Sequence, residues 1–185
     1  MKSAILFSFI LAISLAVTRE DIRYCGLYES QCLVDPVVSK KQSITMSGMT
    51  HHQPIYEERT VTSYWGPACG DEAKLSTLTA SMTVEPLNNV ANRYFITIEK
   101  YVINFANEMA FKDYRCTIPL EVNVDYDVSK LECFDGAAED PFAAMKAEIG
   151  VPQINEITFT EDAMILPVKT EELVLNRIDD TGCRS

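Results

Sequence analysis

The chain lacks the short motifs that mark most enzymes. It has no Gly-x-Ser-x-Gly elbow and no His-Glu-x-x-His segment. Its two histidines, His51 and His52, stand together in a polar stretch with no nucleophile motif nearby, and they read as part of a surface loop. No Cys-x-x-Cys occurs, which argues against a structural zinc. Asp135-Gly136 and Glu139-Asp140 do not fit the twelve-residue pattern of a helix-loop-helix calcium site. Glu156, Glu161, Asp162, Glu171 and Glu172 are spread among candidate strands, so they read as a solvated face and not as an acid/base pair. The expectation is a protein that is not an enzyme, with no catalytic residue, no metal and no cofactor.

Positive charge is scarce as well. Sixteen Lys and Arg face 27 Asp and Glu, a formal net charge of −11, and Lys40-Lys41 is the only adjacent basic pair. No cationic stripe is available to hold a phosphate backbone, so nucleic acid and anionic lipid surfaces are not expected partners. The acidic balance instead favours a soluble monomer. There is no Asn-x-Ser/Thr acceptor, so N-glycosylation is not expected. No second long apolar run follows the first, and the last residues, Asp179 to Ser185, are polar; no membrane span or lipid anchor is expected.

That first run is the most informative segment present. Lys2 precedes Ala4 to Ala16 (AILFSFILAISLA), which is too short to span a bilayer, and Ser14-Leu15-Ala16 places small residues where a signal peptidase reads them. Residues 1–16 are expected to be a signal peptide and 17–185 a single secreted, extracellular domain. Its part from 17 to 56 is weakly periodic and reads as an N-terminal arm with loops. The compartment licenses reading Cys25, Cys32, Cys69, Cys116, Cys133 and Cys183 as disulfide cysteines. Six cysteines allow fifteen pairings, and the spacing alone does not choose among them.

Beyond the arm, apolar residues alternate with a period of two. Ile118 to Tyr126 is the clearest case, with Leu120, Val122 and Val124 opposite Pro119, Glu121, Asn123 and Asp125. Leu78 to Glu85 alternates likewise, with Leu78, Ala80, Met82 and Val84 on one face. Arg93 to Phe105 changes phase: Tyr94, Ile96 and Ile98 share one face, Tyr101, Ile103 and Phe105 the other. A bulge or bend at Lys100 would return both halves to one core. One short helix is predicted from Pro141 to Ile149, capped by Asp140 and stopped by Gly150 and Pro152. The fold class expected is all-β with one short helix, as a closed antiparallel barrel or, alternatively, a two-sheet β-sandwich.

Two clusters carry a family resemblance. Ser63-Tyr64-Trp65-Gly66-Pro67-Ala68-Cys69 sets a Trp four residues before a Cys, and Asp113-Tyr114-Arg115-Cys116-Thr117-Ile118-Pro119 sets a Pro three residues after one. This resembles the lipocalin-like (calycin) domains of extracellular proteins, particularly the APC-down-regulated Wnt-inhibitor family. True lipocalins carry Gly-x-Trp near the start of the first strand, and here Ser63 stands at the Gly position. The resemblance implies a lipocalin-like barrel that binds an apolar ligand. It also implies that Cys69 and Cys116 share one sheet region. The preferred pairing is then Cys25–Cys32, closing a local loop, Cys69–Cys116, and Cys133–Cys183 as the remainder.

The expected function is binding of a small apolar ligand in a barrel cavity. Trp65, Met82, Tyr94, Ile96, Val122 and Tyr126 are the candidate ligand-binding residues, with Met82, Tyr94, Ile96 and Val122 facing inward and Trp65 either closing the barrel or anchoring its core. The alternative is a secreted recognition or inhibitory protein acting through its surface on an extracellular protein.

Overall fold

The structure, a computed structural model, describes residues 25–47, 55–87, 91–168 and 171–179. The expected signal peptide, His51, His52 and Cys183 lie outside these residues.

The all-β expectation holds. The strands, in chain order, begin with β1 (Gly26–Ser30), β2 (Val38–Ser47), β3 (Ile55–Trp65), β4 (Lys74–Pro86) and β5 (Arg93–Phe105). Then come β6 (Arg115–Cys116), β7 (Asp125–Asp127) and β8 (Cys133–Phe134). After the α-helix α1 (Ala143–Glu148) follow β9 (Gln153–Glu156), β10 (Thr158–Phe159), β11 (Ala163–Val168) and β12 (Glu171–Asp179). Among the described residues, no helix is long and apolar enough to cross a membrane.

Ten strands form one antiparallel sheet in the order β10-β11-β12-β1-β2-β3-β4-β5-β7, with β9 also on β5. β7 takes the Val102–Asn104 part of the outer edge of β5 and β9 the Arg93–Ile96 part. The ladders do not close into the expected barrel ring, and an open sheet fits the sandwich alternative. The ladder is interrupted at Ile157, which belongs to neither β9 nor β10. One run of chain pairs with β5 before this residue and with β11 after it, and Ile157 itself turns its N–H to the Asn92 carbonyl at 2.9 Å.

The sheet nevertheless curls far enough to bury one core. Tyr28 and Ile44 from β1 and β2, Met82 and Val84 from β4, Ile96 and Phe105 from β5, and Met164 and Leu175 from β11 and β12 belong to a single buried cluster. The expected phase change in β5 is a bulge. Ser81 pairs with Lys100 and Met82 with Ile98, leaving Glu99 as the extra residue. Tyr94 and Ile96 before it and Tyr101, Ile103 and Phe105 after it thereby reach the same core.

Three expectations are corrected. Ile118 to Tyr126 is not a strand, and only Asp125–Asp127 pairs. Asn123 takes a left-handed φ of 61°, its N–H donates to the Phe105 carbonyl, and Ile118, Val122 and Val124 stay exposed. The alternation there had no neighbouring strand to pack against. The arm expected over 17–56 contributes β1 and β2 to the main sheet, and β3 already begins at Ile55. The helix is shorter than predicted, although Asp140 does accept the Phe142 N–H at 2.9 Å. Gly150, at φ 75°, ends that turn, and its N–H bonds the Ile98 carbonyl at 2.8 Å, docking the helix against β5.

The preferred disulfide set is also overturned. Cys32 is bonded to Cys69 and Cys116 to Cys133, with Cα separations of 5.9 and 4.0 Å. Cys25 is oxidised too, and no cysteine among the described residues is free. Cys25 and Cys32 flank the extended strand β1. Seven residues at about 3.3 Å each hold them roughly 20 Å apart, far beyond disulfide reach. Cys116 and Cys133 face each other directly in the β6–β8 pair, which settles their partnership. Cys32 meets Cys69 because the Val37 carbonyl accepts the Gly66 N–H, joining the loops after β1 and β3. Non-reducing peptide mapping is expected to recover both linkages. By chain entropy, replacing Cys32 and Cys69 with Ser costs about 4 kcal/mol, and replacing Cys116 and Cys133 about 3 kcal/mol. Losses below about 1 kcal/mol in urea unfolding would show that these bridges do not constrain the unfolded chain.

Candidate functional site

The curl of the sheet leaves a cavity of about 330 Å³. Its wall is built by alternation. β3 turns Ile55, Glu57, Arg59 and Val61 inward on every second residue, and of these Arg59 and Val61 line the cavity. β4 supplies Leu78, Ala80 and Met82, and β5 supplies Ile96, Ile98 and Tyr101. Leu166 and Pro167 of β11 and Leu173 of β12 close the other side. Gln42, Glu148, Gln153, Asn155 and Glu156 add polar groups. The cavity is thus apolar over much of its wall, with a few convergent polar side chains, which is the composition of a small-molecule site.

Arg59 of that wall belongs to an ion pair whose carboxylate is buried outside the lining. Glu57 is 2% exposed, and its Oε1 accepts from Arg59 Nε at 3.1 Å and Nη2 at 2.9 Å. The pair is flanked across the sheet by Ile44 and Met46 on β2 and by Ala80 and Met82 on β4, all buried. Glu57 Oε2 is also buried and has no hydrogen-bond partner among the described residues. The Arg59 side chain is 28% exposed and lines the cavity. Two charges in such apolar company are held by each other, since a lone buried charge costs several kcal/mol.

A second polar pair joins the helix to the sheet. The Tyr101 hydroxyl donates to Glu148 Oε2 at 2.7 Å. Burial pushes the Tyr101 phenol well above its ordinary range, and the hydrogen bond to Glu148 pushes it further. The hydroxyl therefore keeps its proton and stays a donor through the physiological range. α1 is anchored from behind as well: Lys146 Nζ reaches Asp140 at 2.7 Å and also the Leu131 carbonyl.

Of the residues singled out from the sequence, Met82 and Ile96 line the cavity. Tyr94 is buried beside it and packs edge-on to Phe159 at 6.1 Å, outside the lining set. Tyr126 packs on Phe105, with ring centroids 6.3 Å apart, and its hydroxyl accepts the Glu121 N–H. Val122, expected to face inward, is 38% exposed in the turn that Asn123 makes. Trp65 neither closes the cavity nor anchors the core. It is 56% exposed at the end of β3, where Gly66 at φ 80° turns the chain away. The aromatics that crowd the middle of the sequence mostly fill the far end of the core: Phe105 meets Phe111 at 5.1 Å and Tyr114 at 6.4 Å, and Tyr114 meets Phe142 at 5.8 Å.

Glu57, Arg59, Gln42 and the Tyr101–Glu148 pair were missed from the sequence. The available signal was the run Ile55, Glu57, Arg59, Val61, in which apolar residues at both ends of a period-two face bracket two opposite charges. No family model, no curated protein and no solved structure matches this chain.

Proposed function

We propose that the protein is a secreted, non-enzymatic binding protein that takes a small, largely apolar molecule into the cavity between β3, β4, β5, β11 and β12. The observation that carries this reading is the cavity itself. Its volume, about 330 Å³, falls at the lower end of the range for small-molecule sites, and its wall comes from side chains spread over most of the sheet. The finer reading of the fold belongs here too. The run from β9 through Ile157 to β10 touches both β5 and β11, and this contact of one run with both strands supports the lipocalin-like resemblance without closing the sheet. The disulfides support an extracellular setting.

The test is uptake of N-phenyl-1-naphthylamine, an apolar fluorophore. Saturable enhancement is expected, competed by fatty acids, alcohols or amines of matched length. Ala80→Phe, which fills the wall from a buried position, is expected to abolish uptake while the circular dichroism of the sheet is retained. No uptake by the native chain, or equal uptake by Ala80→Phe, would sink the reading.

A second reading rests on a different observation. Leu33, Val34, Val37 and Trp65 are all exposed around the loops that the Cys32–Cys69 bridge ties together. They would suit contact with an extracellular protein. A native chain that takes up no fluorophore but captures a defined protein partner from extracellular fluid would move the assignment to this surface.

A further inference from the structure

We infer that the ligand enters and leaves the cavity sideways, through a seam between β9 and β11 that Pro167 keeps from zipping shut. The inference rests on the cavity-binding reading above and specifies where that site opens. Two independent observations meet at one pair of residues, Glu156 and Pro167.

The first is the direction of the backbone hydrogen bonds. Along a strand, successive residues aim their N–H and C=O groups at opposite edges. Ile157 donates its N–H to the Asn92 carbonyl at 2.9 Å, on the side of β5, so Asn155 and Gln153 face β5 as well. Glu156 therefore presents its backbone groups to the other edge. On that side Thr160 donates to the Ala163 carbonyl at 2.8 Å, and Thr158 lies opposite Ile165. Carrying this register onward sets Glu156 opposite Pro167. Ala163 and Ile165 aim toward β10, whereas Asp162 accepts from Arg177 of β12 at 2.7 Å, so by alternation residue 167 aims toward the seam. A proline has no N–H to give there. Among the described residues the ladder does stop at this point: β9 pairs with β5 alone and β10 with β11 alone.

The second is the phase of the lining. Cross-strand partners share a face of the sheet. Gln153 and Asn155 lie beside Ile96 and Tyr94, both buried, and Leu166 lies beside the buried Leu173, so these side chains face inward. Glu156 lies beside Arg93 and Pro167 beside Glu172, all four exposed, so Glu156 and Pro167 belong to the outer face. Both nevertheless border the cavity. Every other strand residue of the lining sits on the inner face of its strand. Outer-face residues reach an interior cavity only where the wall is parted, and the two that do so are the pair that the register sets opposite each other.

The lips of the seam suit the passage of a largely apolar molecule. Gln153 and Asn155 of β9 offer polar groups on one side, and Leu166 and Leu173 offer hydrocarbon on the other. β9 is held to β5 over four residues, all exposed. So short an edge strand opens locally at low cost, which widens the seam without unfolding the sheet.

Stopped-flow mixing of the full chain with N-phenyl-1-naphthylamine, read beside amide hydrogen exchange, tests this. Pro167→Val restores an N–H at the seam. The new amide at position 167 should be protected from exchange, and association and dissociation of the fluorophore should both slow severalfold. Glu156→Trp narrows the mouth from the facing lip and should slow association likewise. Glu58→Trp, exposed on the outer face of β3 and outside the lining, should leave the rates unchanged. If the amide at position 167 stays exchangeable, the seam has not zipped and Glu156→Trp decides. Association within a factor of about two of the native rate, in Glu156→Trp or in a zipped Pro167→Val, would overturn the inference and place the mouth elsewhere. Equal slowing by Glu58→Trp would overturn it as well. Absence of any fluorophore uptake by the native chain would instead sink the cavity reading on which it rests.

Discussion

Arg59→Leu is expected to lower the free energy of unfolding by about 3–5 kcal/mol, because it leaves the Glu57 carboxylate buried without its counter-charge. Glu57 has no fallback. Its side chain is inaccessible, and its cross-strand neighbours are methionines. Glu57→Leu should cost less, since the orphaned guanidinium keeps access to the cavity. Replacing both residues with Leu should recover much of the loss, as paired hydrophobic replacements of buried ion pairs often do. The measurement is urea unfolding of the four chains without ligand, since any bound molecule would add its own stabilisation. A single Arg59→Leu change within about 1 kcal/mol of the native chain would mean that water reaches Glu57 and that the pair is not desolvated.

Phe105→Ala should be comparably severe, at about 3–5 kcal/mol. Phe105 is 2% exposed and contacts three other rings, so its removal leaves a hole that Phe111, Tyr114 and Tyr126 cannot collapse into without losing their edge and tilted contacts. Phe95 on the same strand turns outward, and Phe95→Ala should cost under about 1 kcal/mol. Equal losses at the two positions would show that the phase of β5 had been assigned to the wrong face.

The contrast between those two phenylalanines was legible from the sequence, and so was the bulge between them. Residues 93–105 alternate cleanly on each side of Lys100, and a phase change has few physical remedies. The strands β1 to β3 were less legible because their inward positions are not all apolar. Gln42 points into the cavity from β2, and Glu57 and Arg59 interrupt the inner face of β3. The residues that define the candidate site therefore concealed the strands that carry it. The opposite error occurred at Ile118 to Tyr126, where the alternation was genuine but β5 offers an edge only to the segment beyond Val124. Disulfide partners were the least legible. Pairing depends on which loops the sheet order brings together, and the meeting of the Val37 and Gly66 backbones has no signature in the spacing of cysteines.

The sheet order has a kinetic consequence. Leu27 of β1 lies against Asp179 of β12, so an interior ladder of the sheet joins segments from nearly opposite ends of the described chain. β2 through β5 can assemble as a meander of neighbouring hairpins, each closing a short loop. The β1–β12 seam closes a very long one, and its loop-closure entropy is lost before its contacts form. The topology thus gives the molecule a high contact order and places it among slow-folding β proteins, with the edge of β1 waiting unpaired until β12 arrives.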